Sequence, residues 1–353
     1  MSKEIRIIHW GLGAMGSGMV KMVAGKPGLL SVGAVAKTES KVGRDLGEIC
    51  GVDRRLDVIV SPTLQSILEE TDADIVLHAT ASFTRDVFKE LEEIMAAGLD
   101  VITIAEEMAY PWVREPELAR QLDTLAKKYG VRLLGTGINP GFVLDTLIIA
   151  LTGVCMEVHH IRAARINDLS PFGPMVMRTQ GVGTTPDDFY RGLEAGTIVG
   201  HVGFPESMSL IASSLGWRLD DIRQTREPII SRVYRETPHV RVEPGMVAGC
   251  RHIAHGFVGG REVITLEHPQ QIHPHLEGVD TGDYIWIEGV PGLNVSNKPE
   301  VPGGIGTMSI AVNMIPLLVA AEPGLRTMAD LPVPRAILGE VKVKSKDLSA
   351  VGN

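Results

Sequence analysis

Short apolar runs alternate with amphipathic segments over the first 140 residues. The runs have the composition of buried strands, and the segments between them carry apolar residues at helical spacing. The predicted strands are Ile5–Trp10, Leu29–Ala36, Val58–Val60, Ile75–Ala79, Val101–Ile104 and Arg132–Gly135. The predicted helices are Met15–Ala24, Thr63–Glu70, Thr84–Ala97 and Pro116–Tyr129. Strands joined by helices of this length form a parallel, doubly wound sheet with right-handed crossovers.

The pattern changes after residue 142. Longer segments then alternate apolar and polar residues, which is typical of an antiparallel sheet covered on one face. These segments are His160–Asn167, Ile229–Val242, Arg251–Phe257 and Glu262–His268. Thr185, followed by a proline and two acids, predicts the N-cap of a helix. The apolar segment Gly303–Ala321 predicts a late helix.

These patterns predict an α/β chain in which a Rossmann doubly wound parallel sheet carries an inserted α+β domain built on a mainly antiparallel sheet. We expect residues 1–140 to form the dinucleotide-binding Rossmann domain. Residues 141–302 would form a domain for substrate binding and dimerisation. A C-terminal helix and tail, residues 303–353, would pack back on the Rossmann domain.

A glycine motif follows the first predicted strand: Gly11-Leu12-Gly13-Ala14-Met15-Gly16. This spacing, between a strand and a helix, is typical of a dinucleotide site. The first glycine allows a tight turn, the second lets the backbone approach a pyrophosphate, and the third lets the helix pack on the strand. The N-terminus of the helix offers N–H groups to the phosphates. We therefore predict that all six residues contact NAD or NADP.

The end of the second strand leaves the choice of cofactor open. An acid at this position normally binds the adenosine ribose 2′-hydroxyl. Here the strand runs into Lys37 and Thr38, which favour a 2′-phosphate, although Glu39 could still reach the ribose. Lys37 could also be a solvated loop residue. NADP, NAD or both therefore remain candidate cofactors.

Ligands of a doubly wound sheet contact the carboxyl ends of its strands. The predicted cofactor contacts at these ends are Ala79, Thr80, Ala105 and Asn139. Directly after the fifth strand come two carboxylates, Glu106 and Glu107. Burial beside an apolar ring would raise a carboxyl pKa towards the range of a general base. We predict that at least one of the pair is catalytic; the alternative is that they cap the next helical turn or bind an arginine.

Four residues are candidate substrate ligands: Thr136, Asn139, Arg178 and His268. The segment that holds Thr136 and Asn139 offers backbone N–H groups and an amide, although it could serve only as a hinge. Arg178 has the geometry to bind a carboxylate, with a surface arginine as the alternative. The other histidines occur without an HExxH pattern or a cysteine partner, so no metal site is predicted.

Composition excludes several classes of protein. The 353 residues contain 34 Lys and Arg against 43 Asp and Glu, and the net charge of −9 argues against binding to nucleic acid or an anionic membrane. No apolar run approaches the roughly 20 residues that span a bilayer. Three widely spaced cysteines predict reduced thiols in a cytoplasmic protein.

Three segments resemble the 2,4-diaminopentanoate dehydrogenases and the related native amine dehydrogenases. They are the glycine motif with its preceding strand, the run TIAEEMAYP at 103–111 and the run GTGINPGF at 135–142. The resemblance implies a first domain like that of dihydrodipicolinate reductase. It also implies NAD(P)-dependent oxidative deamination of 2,4-diaminopentanoate to 2-amino-4-oxopentanoate and ammonia, a step of amino-acid catabolism in ornithine degradation. A glutamate base and a homodimer formed through the second domain's sheet are implied as well.

Two other functions stay open at this point. A dihydrodipicolinate reductase shares the fold, but the segment HHxxKxDxPSGTA typical of that enzyme is absent here. A redox sensor could bind the dinucleotide without catalysing a reaction, although it would not need a carboxylate pair at this position.

Overall fold

The computed structural model describes residues 4–341. The strands are β1 (Ile5–Trp10), β2 (Leu29–Val35), β3 (Val60–Ser61), β4 (Ile75–His78), β5 (Asp100–Thr103), β6 (Arg132–Gly135), β7 (Glu157–Asp168), β8 (Asp221–Ile230), β9 (Arg235–Glu236), β10 (Arg241–Val242), β11 (Val247–Val258), β12 (Arg261–Gln271), β13 (Gly282–Val290), β14 (Leu293–Asn297) and β15 (Gly324–Arg326).

The α-helices are α1 (Ala14–Ala24), α2 (Leu46–Cys50), α3 (Leu64–Leu68), α4 (Thr84–Ala96), α5 (Pro116–Tyr129), α6 (Thr146–Thr152), α7 (Pro174–Thr179), α8 (Pro186–Glu194), α9 (Phe204–Ser214) and α10 (Gly303–Val319). Short 3₁₀ turns occupy Glu106–Ala109, Pro111–Val113, Pro274–Glu277 and Met328–Asp330. None of the helices in the described part of the chain combines the length and the apolar character needed to cross a membrane.

The chain forms two compact units. Of the described residues, 4–142 and 303–341 belong to the first unit, and Val143–Pro302 form the second. The limits predicted from the sequence are 140/141 and 302/303.

The first unit contains a seven-stranded parallel sheet in the order β15-β6-β5-β4-β1-β2-β3. The order reverses at the β1/β4 pair, which is the point where ligands bind to doubly wound sheets. Neighbouring residues of one strand, Ile7 and Ile8, belong to separate buried clusters because successive side chains point to opposite faces. Helices α4 and α5 cover one face, and α1 and α10 cover the other. The predicted doubly wound parallel sheet is confirmed.

The second unit is built on a six-stranded sheet in the order β14-β13-β7-β12-β11-β8. The β7/β12 pair is parallel, and the other four pairs are antiparallel. Helix α9 packs against β11 and β12 and is almost entirely buried. The predicted N-cap is present on α8, where the Thr185 hydroxyl accepts a hydrogen bond from the N–H of Asp188. The sequence predicted a mainly antiparallel sheet, and four of the five strand pairs in the structure are antiparallel.

One predicted strand is wrong. The alternating run Ile229–Val242 does not form one strand, since β8 ends at Ile230 and the short pair β9/β10 follows. The break is caused by Arg235, which is 1% exposed and donates hydrogen bonds to Ser231 and Gln271. A buried guanidinium needs these partners, and the chain turns to supply them. Strands β13, β14 and β15 and helices α2, α6, α7 and α9 were not predicted.

Candidate active site

The glycine turn packs tightly on the loop that follows β4. Gly11 has φ +93°, and a Cβ atom there would lie 2.3 Å from the carbonyl oxygen of Ala79. A Cβ atom on Gly16 would lie 1.8 Å from the carbonyl oxygen of Gly11. At Gly13, by contrast, no atom of the described chain lies within 4 Å of that position. Two glycines therefore allow close packing, while the middle one leaves the backbone open to a ligand.

Helix α1 begins at this open position. Gly13 is its N-cap residue, with no side-chain cap and no acid in the first turn. The helix is eleven residues long. Its first N–H groups and the positive end of its dipole therefore lie beside an uncovered backbone. A pyrophosphate group fits this arrangement, because it supplies the acceptors that these N–H groups lack.

Two lysines lie near the glycine turn and the end of β2. The Nζ atom of Lys37 lies 2.7 Å from Oε1 of Glu90, in an ion pair whose lysine is largely exposed. Lys41 donates from Nζ to the carbonyl oxygen of Leu12 at 2.7 Å, inside the glycine motif. Sequence reasoning missed Lys41, although its position four residues after Lys37 was a usable signal. Together they give this edge of the site positive charge.

Glu90 connects this edge to the end of β4. Its Oε2 atom lies 3.0 Å from Nε2 of His78 and accepts a hydrogen bond from the Thr80 hydroxyl at 2.7 Å. The hydrogen bond with His78, followed by those from Lys37 and Thr80, lowers the Glu90 pKa to about 2, against a smaller effect of burial. Thr80, a predicted cofactor ligand, therefore already has its hydroxyl engaged by a carboxylate.

The two adjacent carboxylates after β5 have different environments. Glu107 is 7% exposed, and its Oε2 atom accepts a hydrogen bond of 2.9 Å from the N–H of Thr84, the first residue of α4. Glu106 is partly buried, and burial raises its pKa above the ordinary value; a hydrogen bond with Ser82 opposes this rise, and the charge of Glu107 adds to it. Glu107 thus caps a helix, whereas Glu106 is a carboxyl group whose charged form is disfavoured by burial.

The turn that carries Glu106 is fixed against β6. A Cβ atom on Gly135 would lie 2.0 Å from the carbonyl oxygen of Met108, so only glycine allows the two segments to approach this closely. The N–H of Thr136 donates to the carbonyl oxygen of Thr103 at 3.0 Å. The Thr136 hydroxyl is buried and has no partner among residues 4–341. The ends of β5 and β6 therefore bring Ala105, Glu106 and Thr136 to one edge of the sheet.

Asn139 lies in the turn that follows β6. Its peptide bond to Pro140 is cis, and Gly141 has φ +124°. The N–H of the preceding Ile138 donates to the Thr307 hydroxyl of α10 at 3.2 Å. A hydrogen bond to α10 therefore holds this turn in place.

The remaining predicted substrate ligands belong to the second unit. His268 is buried on β12, with Nε2 2.9 Å from Oδ1 of Asn167 and its ring 4.8 Å from that of His201. Burial, and then neighbouring positive groups, lowers the His268 pKa well below its ordinary value. Arg178 lies in the last turn of α7 and is exposed, and none of the described residues pairs with its guanidinium.

His201 was missed by sequence reasoning. Its Nε2 atom is buried without a partner in the part of the chain that the structure describes, and burial lowers its pKa to about 3. It lies in a short segment with glycines at 200 and 203, where no periodic pattern marks it as buried. His252 contacts it by accepting a hydrogen bond from the His201 N–H at 3.0 Å.

Comparisons with known proteins cover nearly the whole chain. The family model described as "2,4-diaminopentanoate dehydrogenase C-terminal domain" matches residues 142–347, and the one described as "Dihydrodipicolinate reductase, N-terminus" matches residues 5–103. The chain is 48% identical over 343 residues to a 2,4-diaminopentanoate dehydrogenase of Acetoanaerobium sticklandii, covering 96% of this chain and 97% of that one. It is 27% identical over 361 residues to an amine dehydrogenase of Streptomyces virginiae, covering 94% and 98%.

A solved structure agrees with these relatives. The amine dehydrogenase of Mycobacterium smegmatis superposes with a TM-score of 0.83 at 30% identity, covering 94% of this chain and 97% of that one. Fold, site and relatives together define the class: the protein is an oxidoreductase with a Rossmann domain that acts on amines. Within that class the chain belongs to the 2,4-diaminopentanoate dehydrogenase family.

Proposed function

We propose that this protein catalyses the NAD(P)-dependent oxidative deamination of 2,4-diaminopentanoate to 2-amino-4-oxopentanoate and ammonia, with Glu106 as the base. The relative that is 48% identical carries the name of this activity. The observation that carries the proposal is the partly buried Glu106 carboxylate with its raised pKa at the end of β5, in the same sheet whose turn after β1 is open to a dinucleotide.

The cofactor is NADP or NAD, held by the glycine turn and the first N–H groups of α1. A bound nicotinamide would supply the acceptor for the hydride that leaves the amine-bearing carbon. Gly11, Gly13 and Gly16 provide the close backbone approach, and Lys37 and Lys41 provide positive charge at the end of β2. Ala79, Thr80, Ala105 and Asn139 are further proposed contacts.

Lys37 is the residue whose contact would distinguish the two cofactors. A lysine binds a phosphate as a point charge, and its ion pair with Glu90 is exposed enough to exchange partners. We expect Lys37→Ala to lower kcat/KM with NADP while leaving the value with NAD nearly unchanged. An equal loss with both cofactors would assign Lys37 to another role.

Glu106 has two tasks in the proposed reaction. It first accepts a proton from the substrate ammonium, because only a neutral amine can release hydride from its carbon. Glu106 then releases this proton to solvent, so that its carboxylate is free to accept a proton from the water that attacks the resulting iminium; it returns that proton to the nitrogen, which leaves as ammonia while the C=O bond forms. A carboxylate in a partly desolvated site also stabilises the positive charge that develops on the iminium.

Thr136, Asn139, Arg178 and His268 remain proposed substrate ligands. The substrate has a carboxylate and a second amino group, so it needs both donors and acceptors. The guanidinium of Arg178 suits the carboxylate, while the Thr136 hydroxyl and the Asn139 amide can bind the amino groups.

We also propose that the protein is a cytoplasmic homodimer. Two of its three cysteines, Cys50 and Cys250, are buried free thiols, as in a reducing compartment. On the sheet of the second unit, the rings of Tyr284 and Trp286 stack at 5.7 Å, and Arg162 lies 4.8 Å above the tryptophan. These partly exposed aromatic side chains are suited to a subunit interface, and light scattering of the purified protein measures the oligomeric state.

The activity is tested by reduction of NAD or NADP in the presence of 2,4-diaminopentanoate, with ammonia measured in parallel. Matched substrates are 2-aminopentanoate, which lacks the 4-amino group, and 4-aminopentanoate, which lacks the 2-amino group. We expect no turnover with the first and weak turnover with the second. Tight nucleotide binding without turnover of any amine would favour a redox sensor, and reduction of a cyclic imine would favour a reductase.

A further inference from the structure

Three side chains that can bind a metal meet in the second unit. One ligand-capable atom each of Asp168, His273 and His275 lies within 4.8 Å of the other two. Asp168 ends β7, and the histidines follow β12, whose last residue pairs with Asp168. We propose that these three residues bind a divalent transition-metal ion of the Zn²⁺ type.

His273 is oriented in the manner of a metal ligand. Its Nε2 atom lies 2.8 Å from the backbone carbonyl oxygen of Glu236. A carbonyl oxygen only accepts, so Nε2 carries the hydrogen and Nδ1 presents its lone pair. Metal-binding histidines commonly donate their other ring N–H to a carbonyl or carboxylate, which fixes the tautomer.

The Asp168 carboxylate is also held in place. Its Oδ1 atom accepts hydrogen bonds from the N–H of Ser170 at 2.7 Å and from the N–H of His273 at 3.1 Å. The side-chain hydrogen bonds of Asp168 within residues 4–341 all fall on Oδ1. Oδ2 is therefore the oxygen available to a cation. The same bonds hold His273 at φ +45°, an uncommon conformation for a residue other than glycine.

His275 is the ligand whose side chain has to move before it can bind the ion. It is exposed, and its ring lies 5.7 Å from that of His273 at an angle of 81°. Ligands of a tetrahedral zinc ion with bonds of about 2.1 Å are about 3.4 Å apart, so the exposed side chain has to rotate inwards. The backbone of this turn is anchored, because Arg235 donates to the carbonyl oxygen of His273 at 3.4 Å and pairs with Glu277.

The chemical type of the three ligand atoms determines which metal ions the site prefers. Two imidazole nitrogens and one carboxylate oxygen suit Zn²⁺, Ni²⁺ or Cu²⁺, whereas Mg²⁺ and Ca²⁺ prefer oxygen ligands. Three protein ligands leave a fourth position for water. A bound ion would link the end of β7 to the loop after β12 and so stabilise the second unit.

The experiment uses the full chain without a histidine tag, stripped of metal by a chelator. Zn²⁺ is titrated calorimetrically, and bound metal is measured after dialysis. We expect one Zn²⁺ per chain and a higher unfolding temperature with Zn²⁺ than without it. His275→Ala should weaken binding at least tenfold and abolish the rise in temperature. His239→Ala, at an exposed histidine outside the group, is the matched control.

The proposal is overturned if His275→Ala binds Zn²⁺ as the wild type does, or if His239→Ala loses as much affinity. It also fails if the wild type binds no Zn²⁺ at micromolar concentration, or if excess Mg²⁺ displaces it. Because His275 is exposed, its variant should fold normally; Asp168→Asn, which removes the charge of the oxygen ligand, is the second variant and should also weaken binding.

Discussion

Glu106 and Glu107 are adjacent in sequence, and separate substitutions to glutamine should have opposite effects. Removing a general base slows a reaction about 10²- to 10⁴-fold, which corresponds to about 3 to 5 kcal/mol in the activation barrier. We expect that loss in kcat for Glu106→Gln. Because burial raises the pKa of Glu106, the folded protein disfavours its charge, and the neutral variant should be as stable as the wild type or more so.

Glu107→Gln should instead weaken the fold. It replaces a charge-assisted hydrogen bond to the N–H of Thr84 at the start of α4 with a neutral one, at a cost of about 1 kcal/mol. We expect kcat within about tenfold of the wild type. The assays are steady-state kinetics and urea unfolding of both variants at neutral pH.

The pH dependence provides a second, independent measurement. Glu106 must be ionised to accept a proton, so kcat/KM should fall as the pH drops through its raised pKa. Glu107→Gln should retain this acid limb, and Glu106→Gln should lose it. Our reasoning is refuted if the variant with the larger loss of kcat is Glu107→Gln, or if Glu106→Gln keeps a normal rate and acid limb.

Two further predictions concern the framework of the site. Glu90→Gln should lower the free energy of unfolding at pH 7 by about 1 to 2 kcal/mol relative to the exposed control Glu93→Gln; the lowered pKa of about 2 corresponds to about 3 kcal/mol, which solvent screening reduces. This difference should shrink as the pH falls from about 4.5 towards 2, and a constant difference would contradict it. Gly135→Ala should cost about 1 to 3 kcal/mol and lower kcat by displacing Met108, whereas Gly339→Ala, which has open space around it, should be neutral in both assays.

Hydrophobic periodicity predicted β1 to β6 because each is a short buried strand between amphipathic helices, and the structure moves their ends by only one or two residues. It could not predict β15, whose three residues form a strand only because they pair with β6. It also predicted one strand over Ile229–Val242, which contains only the last two residues of β8 and continues past Ser231, where the chain turns near the buried Arg235.

The location of Glu106 and Glu107 directly after a strand predicted that they lie at the candidate site. It could not show that the two side chains have different environments. Both glutamates lie in a 3₁₀ turn, and their surroundings depend on Ser82 and Thr84, more than twenty residues earlier. The contact between Lys37 and Glu90 likewise joins two separate crossovers of the sheet. A single sequence contains no local pattern that marks contacts between residues so far apart in the chain.

Thr103 shows why the ends of the strands form one site. Its hydroxyl accepts a hydrogen bond from the N–H of Ala105 at 3.2 Å and lies 2.9 Å from Nδ1 of His78. An ionised carboxylate only accepts, so Nε2 of a neutral His78 carries the hydrogen and donates to Glu90, and Nδ1 then accepts from the Thr103 hydroxyl. The residue before Glu106 is thus joined by a directed series of hydrogen bonds to the carboxylate that holds Lys37. The proposed base and the charge near the proposed cofactor edge therefore depend on one buried threonine, so changes at either end should alter the geometry of the other.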